Sequence, residues 1–277
     1  MKQNSDNLNP SQDYYQKSNL DLDSWFKITL IDYEELVNSH RFLKIIDSFG
    51  SDTIKLLDIG CGTGVFPDLL DKKIDSELKL SSDLLDVSDY SLNQCSSVFN
   101  QLKHFQANQG FLSSTETIET AIPKSNYYDL IWAIHSFYTV DINKIQDILK
   151  HIKTLIKPSG IFLMCQASSD SCYHQLYNFY LKNYDKPNNY QKFITAEDIQ
   201  KALDIIELQY DVTDFYYNHE IDCEDRDLLE VYLKKCILNS SVDVFYLFKE
   251  KLVDYFKPET NQFSFKQKTK LIIVKKH

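Results

Sequence analysis

The chain has 277 residues, 43% of them hydrophobic and 25% charged, a composition that suits a folded chain with one sizeable core and excludes a disordered or fibrous one. A formal net charge of −10 leaves no basic face for nucleic-acid phosphates, and no apolar run reaches the length of a membrane span. Six scattered cysteines without a CxxC pair, and an N-terminus lacking the apolar stretch of a secretion signal, lead to the expectation of a cytoplasmic chain. It is expected to have reduced thiols, no metal centre and no nucleic-acid or membrane partner, and to be a monomer or weak dimer.

In chain order, residues 1–20 are rich in Asn, Ser, Gln and Asp and read as disordered or as a lid that orders on a ligand, with Tyr14 and Tyr15 as candidates to close over it. Residues 24–49 carry Trp25, Ile28, Ile31, Leu36, Phe42, Ile45 and Ile46 at helical spacing. Short apolar runs at 54–59, 78–87, 102–107, 127–134 and 161–166 read as strands. Helical patterns at 65–73, 90–101 and 141–157 alternate with them; Asp141 is a candidate N-cap, and Pro158-Ser-Gly160 a candidate stop. This alternation implies parallel strands joined by right-handed crossovers. Further along, Thr195 to Asp198 is a capping box for a helix to about 206, strands follow at 208–217 and 268–275, and helices at 225–238 and 242–256. The expected fold is α/β, a doubly wound seven-stranded sheet closed by an antiparallel hairpin. Helical insertions cover the substrate side. One domain spans 1–277, with a ligand-binding core at 50–170 and the insertions and hairpin at 171–262.

The segment that carries chemistry is Asp58-Ile-Gly-Cys-Gly-Thr-Gly64, at the end of the first expected strand. Ligands of open α/β sheets sit at such strand ends. Glycine lets the backbone approach where a Cβ would collide. The spacing is GxGxG rather than GxGxxG, so a helix-terminal pyrophosphate cradle is not implied. Asp58 is placed to orient a ligand's ammonium. Asp86, 22 residues past Gly64 at the end of the second strand, is placed to accept two ribose hydroxyls, with Asp83 and Asp89 as rivals. Gly60, Cys61, Gly62 and Gly64, together with Asn108 after the third strand and Ile134 at the end of the fourth, complete the candidate cofactor set.

The segment resembles motif I of class I S-adenosylmethionine-dependent methyltransferases. Asp86-Val-Ser88 is similar to their acidic motif after strand two, Tyr128 to His135 to their fourth strand, and Lys157 to Leu163 to the turn into their fifth. Over most of the chain, Tyr128 to Val140, Ala167-Ser-Ser169, Phe193 to Ile199, Asp227 to Leu233 and Leu271 to Val274 resemble histamine N-methyltransferase and its relatives. The resemblance implies a Rossmann-like methyltransferase fold, S-adenosyl-L-methionine as cofactor and a small-molecule amine as acceptor. An oxygen nucleophile, a protein side chain or a non-catalytic binding module remain as alternatives. It places His135 where the family has a substrate-contacting glutamine, matches Tyr138 to the aromatic that follows, and puts Tyr173 and Tyr177 where two tryptophans wall the substrate. Asp32, Glu34 and Glu35 are candidates for the family's N-terminal substrate carboxylate.

Methyl transfer from a sulfonium is an in-line displacement in which the protein supplies proximity, alignment and a dry site. A base keeps an amine acceptor unprotonated. His135 is the candidate catalytic residue and, with Tyr138, Tyr173 and Tyr177, lines the candidate acceptor site. Tyr173, Tyr177, Tyr180 and Tyr184 recur at helical spacing, which suits either an aromatic wall or a stripe packed on the core. Tyr216-Tyr217 reads as strand packing.

Overall fold

The computed structural model describes residues 22–184 and 191–275; the expected lid at 1–20, with Tyr14 and Tyr15, lies outside them. The helical pattern at 24–49 forms two helices, α1 (Leu22–Val37) and α2 (His40–Asp47), because Ser39 turns extended and its hydroxyl accepts from the Phe42 N–H as an N-cap. Four alternating units follow: β1 (Thr53–Ile59) and α3 (Val65–Asp71), β2 (Lys79–Asp86) and α4 (Asp89–Phe99), β3 (Phe105–Leu112) with a short α5 (Ile118–Ala121), and β4 (Tyr128–Ile134) with α6 (Ile145–Leu155). Then come β5 (Ile156–Ala167), α7 (Cys172–Asn183), α8 (Ala196–Ile205), β6 (Tyr210–Asp222) and α9 (Arg226–Ile237). Two single-turn helices, α10 (Val244–Leu247) and α11 (Lys251–Tyr255), the two-residue β7 (Phe256–Lys257) and β8 (Gln262–Lys275) complete the described chain. None of the described helices is long and apolar enough to cross a membrane.

The seven expected strands form one path, β3-β2-β1-β4-β5-β8-β6, and β7 is an eighth strand on the edge of β8. Strands β1 to β5 run parallel; β8 is antiparallel to β5 and to β6. Strands buried on both faces read as continuous apolar runs, and β4 holds Leu130, Ile131 and Trp132 at 0% exposure. One apolar cluster lies on each side of the sheet, and a third gathers α1, α7, α9 and the outer half of the hairpin around Tyr177, Tyr180, Tyr232 and Phe265.

Four expectations are corrected. Pro158-Ser-Gly160 does not end α6; it lies inside β5, where Tyr128 pairs with Ile156 but Leu130 with Ile161, and this irregularity absorbs a proline that cannot donate to the ladder. Helix α6 starts later than expected: Asp141 caps a preceding turn, its Oδ1 accepting from the Asn143 N–H at 2.9 Å. The third strand extends to Leu112 because an edge strand tolerates the polar Asn108-Gln109, which sit at a register shift between Ser82 and Leu84 of its neighbour. The pattern at 242–256 is broken at Phe248, which is fully buried and packs on Phe179 at 5.7 Å. The capping box on α8 forms as read, with the Thr195 side chain accepting from the Asp198 N–H and the Asp198 carboxylate from the Thr195 N–H.

Candidate active site

The carboxyl ends of β1, β2 and β4 open onto a cavity of about 620 Å³. At one end the wall is the glycine loop and the turns after β2 and β3. Gly60 has φ +72° and a Cβ there would collide with Ser136, so the loop after β4 rests directly on its backbone. The Gly62 N–H donates to Asp86 Oδ2 at 3.0 Å, and the Ser88 N–H donates to Oδ1 at 2.9 Å. Burial pushes the Asp86 carboxyl up, against the pull of the backbone N–H donors of Ser88, Gly62 and Val87.

Not every candidate of the glycine segment faces the cavity. Gly60, Gly62, Asp86 and Ile134 line it. Asp58 does not: it is buried under the loop at 4% exposure, and burial, with the Asp86 charge beside it, pushes its carboxyl up to about 7. Cys61 is turned into the core. Gly64 caps α3 at φ +86° and lets the loop pack on α4, where a Cβ would sit 3.2 Å from Val98 Cβ. Asn108 is exposed on the edge strand, with its amide donating to Ser81 Oγ at 2.6 Å. The turn after β3 reaches the cavity instead through Ser113, Ser114 and Thr115. Of Asp86's rivals, Asp83 is held in an ion pair with Lys124 (2.6 Å) and accepts from Tyr128 OH, while Asp89 accepts from Asn93 on α4.

His135 sits immediately after β4 at φ +54°, a left-handed conformation uncommon for a non-glycine residue and costing of order 1–2 kcal/mol. The bend swings the imidazole between Tyr33, edge-on at 6.0 Å, and Tyr138, stacked at 6.1 Å. Nδ1 is 2.7 Å from Tyr138 OH, and Nε2 is 3.7 Å from Cys165 Sγ, a weak contact. Burial holds the ring's pKa below the usual imidazole range, so it is neutral at pH 7.

Tyr138 and Tyr173 line the cavity with their rings edge to face at 4.9 Å. Tyr177 lies elsewhere: it is fully buried, stacked on Phe193 at 3.5 Å, with its hydroxyl donating to Gln191 O. The tyrosine stripe of α7 thus divides, Tyr173 facing the cavity and Tyr177 and Tyr180 the third core cluster.

Asp32 on α1 lines the far end, and neither Glu34 nor Glu35 does. His219 Nε2 lies 2.6 Å from Asp32 Oδ1, and His219 Nδ1 lies 3.0 Å from Tyr232 OH. Gln267 Nε2 donates to Tyr232 OH and to Phe265 O, both at 3.2 Å, while its Oε1 accepts from Ser171 Oγ and the Tyr173 N–H. Those partners fix the amide's orientation, so Tyr232 has its own proton to give to Nδ1 and His219 presents Nε2–H to Asp32. Burial opposes the charge on Asp32, but the attraction and hydrogen bond of His219 outweigh it and hold the carboxyl below its usual range. Lys235 on α9 also lines this end at 6% exposure; its Nζ is 5.6 Å from the Trp25 ring, and burial holds its pKa down to about 7.

Sequence reading missed Tyr217, His219, Lys235, Gln267 and Thr269. The signal for the strand residues is alternation, since 217 and 219, and 267 and 269, share strand faces. For Lys235 it is a lysine three residues after the buried Tyr232 on the packed side of a helix. Tyr217 is not only packing: its hydroxyl pairs with Thr269 Oγ1 at 2.8 Å in the cavity wall, whereas Tyr216 is exposed.

The loop end of the cavity fits a nucleoside without phosphate. Among the described residues its lining contains one carboxylate, Asp86, several hydroxyls and no lysine or arginine, and Gly62 has open space where a Cβ would be. A family model described as a methyltransferase domain matches residues 33–211. The chain belongs to the methyltransferase-domain family. Malonyl-[acyl-carrier protein] O-methyltransferase 2 of Ilyobacter polytropus is 30% identical over 155 residues, 55% of this chain; the chain spans about half the length of that curated relative, 54%. The YcgJ protein of Bacillus subtilis superimposes with a TM-score of 0.55 at 16% identity, covering 86% of this chain and 100% of that one. The plantazolicin methyltransferase BamL, in complex with a triazolic desmethylPZN analogue and SAH, superimposes with a TM-score of 0.50 at 13% identity, covering 98% and 96%. The family match and these likenesses give an α/β Rossmann-like methyltransferase fold with a mostly parallel sheet.

Proposed function

We propose that this methyltransferase moves the methyl group of S-adenosyl-L-methionine to the nitrogen of a small-molecule amine. One observation carries the reading: a single cavity joins the glycine loop and Asp86 to a chamber walled by Asp32, His135, Tyr138 and Tyr173. The cofactor supplies an electrophilic methyl on a sulfonium. Asp86 would accept from its ribose hydroxyls, and the bare backbone of Gly62 would pack against its amino-acid part.

The acceptor's ammonium is drawn in by the Asp32 carboxylate, which the His219 hydrogen bond keeps charged. His135 hydrogen-bonds the acceptor nitrogen through Nε2 in place of the weak Cys165 contact, and it is the base that takes the amine proton. Because burial lowers the His135 pKa, the rate is expected to stay level from pH 8 down through the usual imidazole range and to fall only below it. The Tyr138 and Tyr173 rings in the wall suit a cationic or aromatic amine as the acceptor type. A second reading, methylation of an acceptor oxygen, is favoured by the likeness to the malonyl-[acyl-carrier protein] O-methyltransferase.

Calorimetry with S-adenosylhomocysteine tests the cofactor half; absence of binding by the wild type removes the enzyme reading. Profiling amines, alcohols and carboxylic acids with methyl-labelled cofactor tests the acceptor half, and label entering only oxygen acceptors establishes the second reading instead.

A further inference from the structure

Four polar side chains run in one line, from Gln267 on β8 through Tyr232 on α9 and His219 on β6 to Asp32 on α1. Gln267 is 2%, Tyr232 0% and His219 3% exposed, so each must find its partner inside the protein. Main-chain groups at the Gln267 end give the line its direction. Phe265 O only accepts, so the amide nitrogen faces it; the Tyr173 N–H only donates, so the amide oxygen faces it. The amide's second N–H then points at the Tyr232 oxygen, whose own proton goes to His219 Nδ1, 3.0 Å away. A ring nitrogen that accepts carries no proton, so the single ring proton lies on Nε2, 2.6 Å from Asp32 Oδ1.

That direction decides the charge of the chamber. A carboxylate this close favours an imidazolium, and an imidazolium would cancel the charge of Asp32. The other ionisable groups turned toward Asp32 are His135, Tyr138, Tyr217 and Cys165. Burial keeps the imidazole from gaining a proton and the hydroxyls and thiol from losing theirs, so none of them offsets the acid. On α9, beside Tyr232, burial pushes the Cys236 thiol up and the Lys235 ammonium down to about 7.

We propose that Gln267 and Tyr232 are positioning residues that keep His219 neutral, so that the Asp32 carboxylate retains its whole negative charge for a cationic acceptor. The inference rests on the amine reading given above and deepens it. A neutral imidazole still supports the carboxylate through Nε2–H without cancelling it, and the amide that withholds the second ring proton touches neither acceptor nor cofactor. Glutamate in place of Gln267 inverts the line. A carboxyl there has at most one proton where the amide has two, and Phe265 O claims it. The Tyr232 hydroxyl then turns to donate to the carboxyl, and Nδ1 gains an acceptor for a proton of its own.

The test uses the whole chain with nitrogen-15 in its histidine rings; the His219 signals in the magnetic resonance spectrum are those missing from His219→Asn. In the wild type they should report a neutral ring protonated on Nε2 from pH 8 down to pH 6. In Gln267→Glu they should report a ring protonated on both nitrogens over that range. Tyr232→Phe keeps the aromatic ring and removes the link: His219 should then take up a second proton between pH 8 and pH 6, and adding Gln267→Glu should change nothing further. The inference is overturned by a wild-type His219 protonated on Nδ1 or on both nitrogens, or by a ring that stays neutral in Gln267→Glu or in Tyr232→Phe. A second arm titrates the chain loaded with S-adenosylhomocysteine calorimetrically with benzylamine and benzyl alcohol. The amine should bind the wild type about tenfold or more tighter than the alcohol, and Gln267→Glu should bring the two within about twofold. A preference that survives in Gln267→Glu overturns the inference. Failure of the underlying reading looks different: a wild type that binds the alcohol as well as the amine, or binds neither, removes the amine reading and the use assigned to the Asp32 charge, while the nitrogen signals still report the direction of the line.

Discussion

The two ends of the cavity are built from different materials. The loop end is mostly main chain, shaped by the glycines of one turn, the N–H groups that fix Asp86, and hydroxyls on short turns. The end around Asp32, proposed to take the acceptor, is side chain, assembled from α1, β6, α9 and β8, which are far apart in sequence and share an apolar cluster of their own. Backbone geometry follows from local residue types and tolerates little change. A wall of side chains tolerates substitution, because each group can be exchanged while the others keep their packing.

The largest effect expected to sharpen this contrast is at Gly62. It lines the cavity with open space where a Cβ would be, so Gly62→Arg fills the cofactor end, and calorimetry should detect no S-adenosylhomocysteine binding. The thermal melt should move only by the order of 1–2 kcal/mol due to a side chain at φ +54°. Next is Tyr177→Ala. Deleting a fully buried aromatic ring costs about 3–5 kcal/mol, read by urea denaturation, while homocysteine-ligand affinity stays within twofold because the ring belongs to the other end. A parallel fall in that affinity breaks the division into two ends.

Asp32→Asn comes third. It should lower kcat/KM for a methylated amine by about 10–100-fold, the scale of one lost charged hydrogen bond, with the cofactor constant unchanged. An unchanged kcat/KM in a labelled-cofactor assay removes Asp32 from the acceptor's partners. Asp58 comes last. Its folded carboxyl titrates at about 7, above the usual 3.8, so its contribution to stability is present in acid and is lost as pH rises from about 4 through 7. Thermal melts at pH 5 and pH 8 should therefore differ less for Asp58→Asn than for the wild type; an equal difference places the titration elsewhere.

Much of the fold was legible because its signals are local. Apolar runs bounded by turn residues gave seven strands, and Thr195 to Asp198 announced its helix through a hydrogen-bonding pattern complete within four residues. Boundaries failed where tertiary packing decided, as with Phe248, whose burial interrupts an otherwise helical pattern, and Pro158, accepted inside a strand at an irregular pairing. The same distinction runs through the site. Gly60, Gly62 and Asp86 were readable because one turn and one strand end define them. The Asp32–His219 pair was not, since its members are 187 residues apart and meet only when β6 folds beside α1. Tyr173 and Tyr177 show the limit most simply: both lie on one helix at neighbouring positions of one stripe and both stack on Phe193, yet only Tyr173 also meets Tyr138 in the cavity wall.

The closing hairpin does more than finish the sheet. Strand β8 pairs with β5 from Thr269 onward, and the Ser168 N–H donates to Lys268 O just beyond; residues 262–267 pair with β6 and, at 262 and 263, with β7. His219 and Gln267 ride on that overhang. It is a cantilever anchored in the sheet, packed through Phe265 into the third cluster, with His219 and Gln267 in the cavity wall. Exchanging the cavity-facing side chains of such an arm would reshape that chamber while leaving the glycine loop and the buried Phe265 untouched.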